Sequence, residues 1–187
     1  MKKELISQLR PMEGWEILER GVKALESGDL ESATYIADYL TTRKRARFYK
    51  YLTTIMQTEF GHEPIQFLSL ASEIALKYKP KTKGTHKVYV ILLDGYAKYR
   101  YGLYVGQTSR KIETRYKQHI SGGDLAAKCH KKMKCLMPSL YLHLAPMSKA
   151  ESLEIEEALA NDFRAVGIRT EGGKKSRRGE ATDEGDA

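Results

Sequence analysis

The stretch 99-YRYGLYVGQTSRKIETRYKQHISGG-123 decides the fold, because the period of its apolar residues changes midway. Its first part, 101-YGLYVG-106, reads as a strand. It returns from 88-VYVILL-93, which is β-branched and apolar on both faces, as a strand covered from both sides would be. Asp94-Gly95 begins the turn between them. Beyond Gly106 the spacing becomes helical. Ile112, Tyr116 and Ile120 fall four apart, which predicts a helix over 111–121 with those three as its apolar stripe. Arg115 and His119, also four apart, share a neighbouring stripe and point the same way.

Downstream, 139-SLYLHL-144 alternates leucines with Tyr141 and His143 and predicts a third strand. Ser148 followed by Glu151 has the form of a capping box. Gly167 is placed to end the helix it opens near Val166. Along that helix Leu153, Ile155, Leu159 and Phe163 are expected on the core side. Residues 81–173 thus read as a small antiparallel three-stranded sheet flanked by helices. Residues 174–187, charged and without periodicity, read as a disordered tail.

Upstream the pattern is all helical. Segments 15–27, 30–40, about 45–59 and 65–79 are separated by Gly28-Asp29 and by Gly61 with Pro64. In the first, Trp15, Leu18, Val22 and Leu25 recur at helical spacing. The polar segment 79-KPKTKGTHK-87 closes this region, which predicts a helical domain over 1–80 and an α+β class for the chain. In 43-RKRARFYKY-51 basic residues interleave with aromatics. They either touch a phosphate backbone and stack on a base, or form a solvated face with tyrosines turned to the core.

The net charge of +8 is not spread evenly. Residues 1–80 carry 12 Lys and Arg against 11 Asp and Glu, whereas 81–134 carry 13 against three. A positive field confined to the middle of the chain suits a polyanion such as nucleic acid. Lys111, Lys117, Lys128, Lys131, Lys132 and Lys134 are its candidate backbone contacts. No apolar run long enough to span a membrane is present, and the N-terminus lacks the apolar centre of a signal peptide, so a cytoplasmic protein is expected. Two cysteines are too few for a disulfide scaffold. Cys129 and Cys135, with His143, do not have a recognised zinc spacing.

Tyr89 and Tyr104 on paired strands, Arg115 and His119 on the next helix, and carboxylates at 151, 154, 156 and 157 suit phosphodiester hydrolysis. That reaction needs a base for water, a cation facing the charge that develops on phosphorus, and usually a carboxylate-held divalent metal.

In this arrangement the chain from about 86 to 173 resembles the GIY-YIG nuclease family. The resemblance rests on 88-VYV-90, 104-YVG-106, the Arg and His of 106-GQTSRKIETRYKQHISGG-123, and 147-MSKAESLEIEEALANDFRAVG-167, in that order. It implies that Tyr89 lies near the attacking water and that Tyr104 is hydrogen-bonded around the scissile phosphate. Gly106 would let the backbone pass close beneath. Arg115 would clamp the phosphate, and His119 would take part in proton transfer or hold a tyrosine. Glu156 would bind one Mg²⁺ or Mn²⁺, since 151-ESLEIEEAL-159 fits the family frame with Glu156 after Ile155 and three before Leu159; Glu154 is second. The chain departs from the family at Val88 and Val90, in a long segment between the tyrosine triplets, and in having Thr170 or Glu171 where many members place an Asn.

The reading is therefore a metal-dependent endonuclease acting on DNA. The helical region would serve as a dimerisation, DNA-contact or partner-binding module. The alternatives are a non-catalytic nucleic-acid-binding protein that keeps the fold, and a helical interaction protein with an inert C-terminal domain.

Overall fold

The computed structural model describes residues 2–43, 45–96, 100–124 and 126–173. The charged tail 174–187 and Tyr99 lie outside the described residues. The chain divides into two compact units, Met1–Leu76 and Lys77–Ala187.

In the first unit five helices, α1 (Lys2–Leu9), α2 (Gly14–Glu26), α3 (Leu30–Thr42), α4 (Ala46–Thr58) and α5 (Leu68–Ala75), pack around α3. Tyr35, Ile36, Ala37, Tyr39 and Leu40 of α3 are all buried, as a helix covered on most sides requires. Asp29 caps it, its Oδ1 accepting the Ser32 amide at 2.9 Å. On α2 the expected stripe holds at Leu25 but is displaced by one residue at its other three positions. Gly14, Ile17, Gly21 and Leu25 are buried, while Trp15 is 60% exposed. The reason is close packing on α4. A Cβ at Gly14 would lie 2.2 Å from the Phe48 ring, and one at Gly21 would lie 2.8 Å from Leu52. Two bare turns of backbone, rather than large side chains, set the contact. Within 43–51, Phe48 packs on α2, Arg45 donates to the Met12 carbonyl, and Tyr51 faces outward.

In the second unit a four-stranded sheet has the order β3-β1-β2-β4, with β1 Lys87–Asp94, β2 Tyr101–Thr108, β3 Met133–Leu136 and β4 Thr170–Gly172. β1 and β2 form the expected hairpin, with Tyr89 opposite Gly106 and Ile91 opposite Tyr104; Gly95 turns at φ +91°. β1 is an inner strand, and Val88 to Leu93 are buried without a break.

Two expectations are corrected. The sheet has four strands, not three, because β4 joins β2 in parallel and makes the sheet mixed. The third strand is Met133–Leu136, antiparallel to β1, and not 139–144. Pro138, with φ fixed and no amide to donate, opens a 3₁₀ turn at Pro138–Leu140. Leu140, Tyr141 and Leu144 are buried while Leu142 and His143 are exposed, a turn-like pattern, although the leucines alternate in the sequence.

α6 (Ile112–Ile120) follows β2, and α7 (Lys149–Ala165) packs on β2 and β4. Gly167, at φ +83°, ends α7 as expected. Its core face is Ser152, Ile155, Leu159, Ala160 and Phe163, with Leu153 exposed. Ser148 caps it, its Oγ accepting the Glu151 amide at 3.2 Å, but Glu151 does not complete the box. Its carboxylate turns to the polar segment, accepting the Lys81 amide at 2.6 Å, the Thr82 amide at 2.9 Å and the Thr82 hydroxyl. The Thr82 Oγ1 in turn accepts the Ser148 amide at 2.9 Å.

Candidate active site

The register of the hairpin builds the floor of the site. Because Tyr89 pairs with Gly106, and Tyr104 stands two residues before that glycine, both rings lie over Gly106 on one face. A Cβ there would sit 2.6 Å from the Tyr89 Oη and 2.8 Å from the Tyr104 Cε1. Glycine is required by crowding, not by a left-handed backbone. The ring centroids of Tyr89 and Tyr104 are 6.1 Å apart.

α6 supplies the third ring. His119 is fully buried, with its centroid 5.3 Å from that of Tyr104 in an edge-on arrangement. Ile120, expected in the apolar stripe, is 52% exposed, so His119 anchors this turn of the helix in its place. The His119 Nε2 lies 2.7 Å from the Tyr89 Oη, and its Nδ1 accepts the Ala127 amide at 3.0 Å. The second contact fixes the first. A neutral imidazole that accepts at Nδ1 carries its hydrogen on Nε2, so His119 donates to Tyr89. Burial, then the nearby Arg115 charge and His130, lowers the His119 pKa to about 4, which keeps the ring neutral at neutral pH.

Burial also pushes the Tyr89 phenol well above its ordinary value; Tyr104 adds to this and Arg115 opposes it. The Tyr104 phenol is raised as well, by burial first, with the Tyr89 hydrogen bond acting against it and Glu156 acting with it. Arg115 is half-buried, its Nη1 3.4 Å from the Gln118 Oε1, and its charge is felt by Tyr89, Tyr104 and His119 alike.

Glu156 is half-buried on α7, on the side whose charge Tyr104 feels. Its carboxyl is raised above the usual range by burial; the Gly173 amide, 3.4 Å from its Oε1, acts the other way. Glu154 is exposed on the same helix, and Glu151 is held by the polar segment. Among the described residues no group of three or more His, Cys, Asp or Glu side chains is placed to hold a metal. A lone half-buried carboxylate still fits a hard cation such as Mg²⁺, which binds through one or two carboxylates and completes its shell with water and substrate phosphate. Cys129 and Cys135, both half-buried, are not joined in a disulfide.

The structure therefore brings Tyr89, Tyr104, Arg115 and His119 into one interacting group, with Glu156 electrostatically linked to Tyr104. Lys111, Lys117, Lys128, Lys131 and Lys134 are exposed, and Lys132 is half-buried with its Nζ 3.8 Å from the centre of the Tyr96 ring. Sequence reasoning missed the Ala127 amide, because a backbone donor leaves no residue signature. Glu171, singled out in the sequence only as an alternative to Thr170, is placed by β4 opposite Tyr104, a pairing the sequence did not signal.

Residues 86–169, in the C-terminal half of the chain, match the family model of the GIY-YIG catalytic domain. No curated protein and no solved structure matches the chain.

Proposed function

With residues 86–169 taken as a GIY-YIG domain of the nuclease family, we propose that this chain is a metal-dependent endonuclease that hydrolyses phosphodiester bonds in DNA. The observation that carries the reading is the buried chain from the Ala127 amide through His119 to Tyr89, packed against Tyr104 and beside Arg115. A buried histidine with its tautomer fixed by a backbone amide donates to Tyr89, and Tyr104 and Arg115 hydrogen-bond the same phenol, so its orientation is set before substrate arrives.

In the proposed reaction Tyr89 orients the attacking water. Its phenol is protonated at neutral pH, so its first role is to hold the water by a hydrogen bond. Tyr89 can take the water's proton only as the phenolate, after its own proton has passed to bulk solvent, an ionisation that burial opposes and the Arg115 charge favours. His119 stays neutral and stabilises negative charge on the Tyr89 oxygen through its Nε2 hydrogen. Arg115 meets the charge growing on the phosphoryl oxygens with a planar fork that Lys cannot reproduce. Tyr104 positions the phosphate. Glu156 would hold the divalent cation, which when bound supplies Lewis-acid charge against the pentavalent phosphorus.

The test is plasmid nicking in Mg²⁺ or Mn²⁺ by the unaltered chain, Glu156→Ala and Arg115→Ala. The expected result is cutting by the first and loss of at least 100-fold in each variant, on the scale of removing one transition-state contact. Binding of DNA without metal-dependent cutting by the unaltered chain would favour a non-catalytic DNA-binding protein. The described helices include none long and apolar enough to cross a membrane. We further propose that 1–80 and 81–173 act as separate domains, the first recruiting DNA, a second copy of the chain or a protein partner.

A further inference from the structure

We infer that Tyr96, Lys132 and Arg169 form a second phosphate-contact site, on the same sheet face as the paired tyrosines, that grips the DNA strand beyond the scissile bond. The inference rests on the nuclease reading above and adds to it a group that the tyrosine triplets do not contain.

The geometry repeats that of the site floor four residues further back along β2. Gly106 is bare beneath Tyr89 and Tyr104, and Gly102 is bare beneath Tyr96, where a Cβ would lie 3.0 Å from the Tyr96 ring. Gly102, Tyr104 and Gly106 alternate onto one face of the strand. That face therefore carries two aromatic platforms, each seated on a glycine. Tyr96 also holds two cations. Lys132 Nζ lies 3.8 Å from its ring centre and Arg169 Cζ lies 4.3 Å from it. Glu171 lies at the same place, with its Oε1 3.5 Å from the Tyr96 Oη and 3.8 Å from an Arg169 nitrogen. Two cations thus face one carboxylate, and the cluster keeps a net positive charge. Arg169 and Glu171 belong to the turn and strand that β4 adds beside β2, so the fourth strand is what brings the cluster to this face.

The spacing fits a strand of DNA. A β-strand advances about 3.3 Å per residue, so Gly102 and Tyr104 are about 7 Å apart. Successive phosphates of one strand rise about 3.4 Å along the helix axis and also wind around it, so the cluster lies within about two nucleotides of the phosphate at Tyr104. Phosphate contacts of this kind add salt-dependent affinity without reading sequence.

The experiment measures binding of a fluorescent duplex across a salt series with EDTA present, so that no cleavage intervenes. Lys132→Gln and Arg169→Gln are each expected to reduce the slope of log K against log salt by about 0.9, and the double variant by about twice that, equally on unrelated sequences. Lys132→Arg and Arg169→Lys keep the charge and are expected to keep the slope. Retained DNA binding with an unchanged slope in the double variant would overturn this site alone. Loss of slope in the charge-keeping variants would overturn it too. Failure of the unaltered chain to bind the duplex at low salt would overturn both this inference and the nuclease reading.

Discussion

Tyr89 Oη and His119 Nε2 are 2.7 Å apart, and the Ala127 amide occupies the other nitrogen of the same imidazole. The pair lets His119 be treated as a fixed donor, which separates it from the general base that a histidine one turn after an arginine would otherwise suggest. His119→Ala removes the partner of both Tyr89 and the Ala127 amide, and is expected to lower kcat for plasmid cutting by about 100-fold or more. His119→Gln keeps a donor near Nε2 and should recover a substantial part of that loss. Equal inactivity of the two variants would mean that His119 accepts a proton.

The same burial makes the C-terminal unit acid-sensitive. The folded-state pKa of His119 is about 4, below the ordinary value of 6.5. The unfolded chain therefore takes up the proton first as pH falls. Stability that is fully present above pH 6.5 is lost progressively between 6.5 and 4, by about 2 kcal/mol at pH 5. Thermal melts at pH 7.5 and 5 should show a larger drop for the unaltered chain than for His119→Gln. An identical drop in both would remove His119 as the cause.

Gly106→Ala places a Cβ 2.6 Å from the Tyr89 Oη. Both tyrosine rings must then move, at a cost of about 1–3 kcal/mol in stability. Because the orientation of Tyr89 toward water is lost with them, cutting should fall by about 100-fold, even in preparations that circular dichroism shows to be folded.

Glu156 and Glu154 share a helix but not an environment. Glu156→Gln is expected to abolish metal-dependent cutting and Glu154→Gln to leave it within about twofold. Since burial raises the Glu156 carboxyl, its charged form is lost at a higher pH than that of an exposed glutamate, and Mn²⁺-dependent cutting should decline on that shifted limb. Isothermal titration of Mn²⁺ into the two variants separates a lost ligand from a lost catalytic step. Equal Mn²⁺ affinity in both would remove Glu156 as the ligand.

The hairpin, α6 and α7 were legible because each rests on local information: an unbroken apolar run, a four-residue spacing, a capping serine and a terminating glycine. Tyr89, Tyr104, Arg115, His119 and Glu156 were expected as a set because their order along the chain resembles a family pattern, and the first four interact in the structure. What the order could not supply was partnership. The Trp15 stripe failed because two glycines, weak signals in a helix, draw α4 onto bare backbone and turn Trp15 outward. The strand at 139–144 failed because Pro138 starts a turn that buries the neighbours Leu140 and Tyr141 together and exposes Leu142, so the alternating leucines do not share a face. Three residues of β4 carry no periodicity of their own, and pairing with β2 alone makes Thr170–Gly172 a strand. The sequence by itself determined that Tyr89 and Tyr104 stand on paired strands and that Arg115, His119 and Glu156 stand on helices, because those elements rest on local period and caps. Only the tertiary structure decided that His119 donates rather than accepts, and that Tyr96 gathers Lys132 and Arg169, because the first depends on a loop amide that leaves no residue signature and the second on groups far apart in the chain that packing brings within contact.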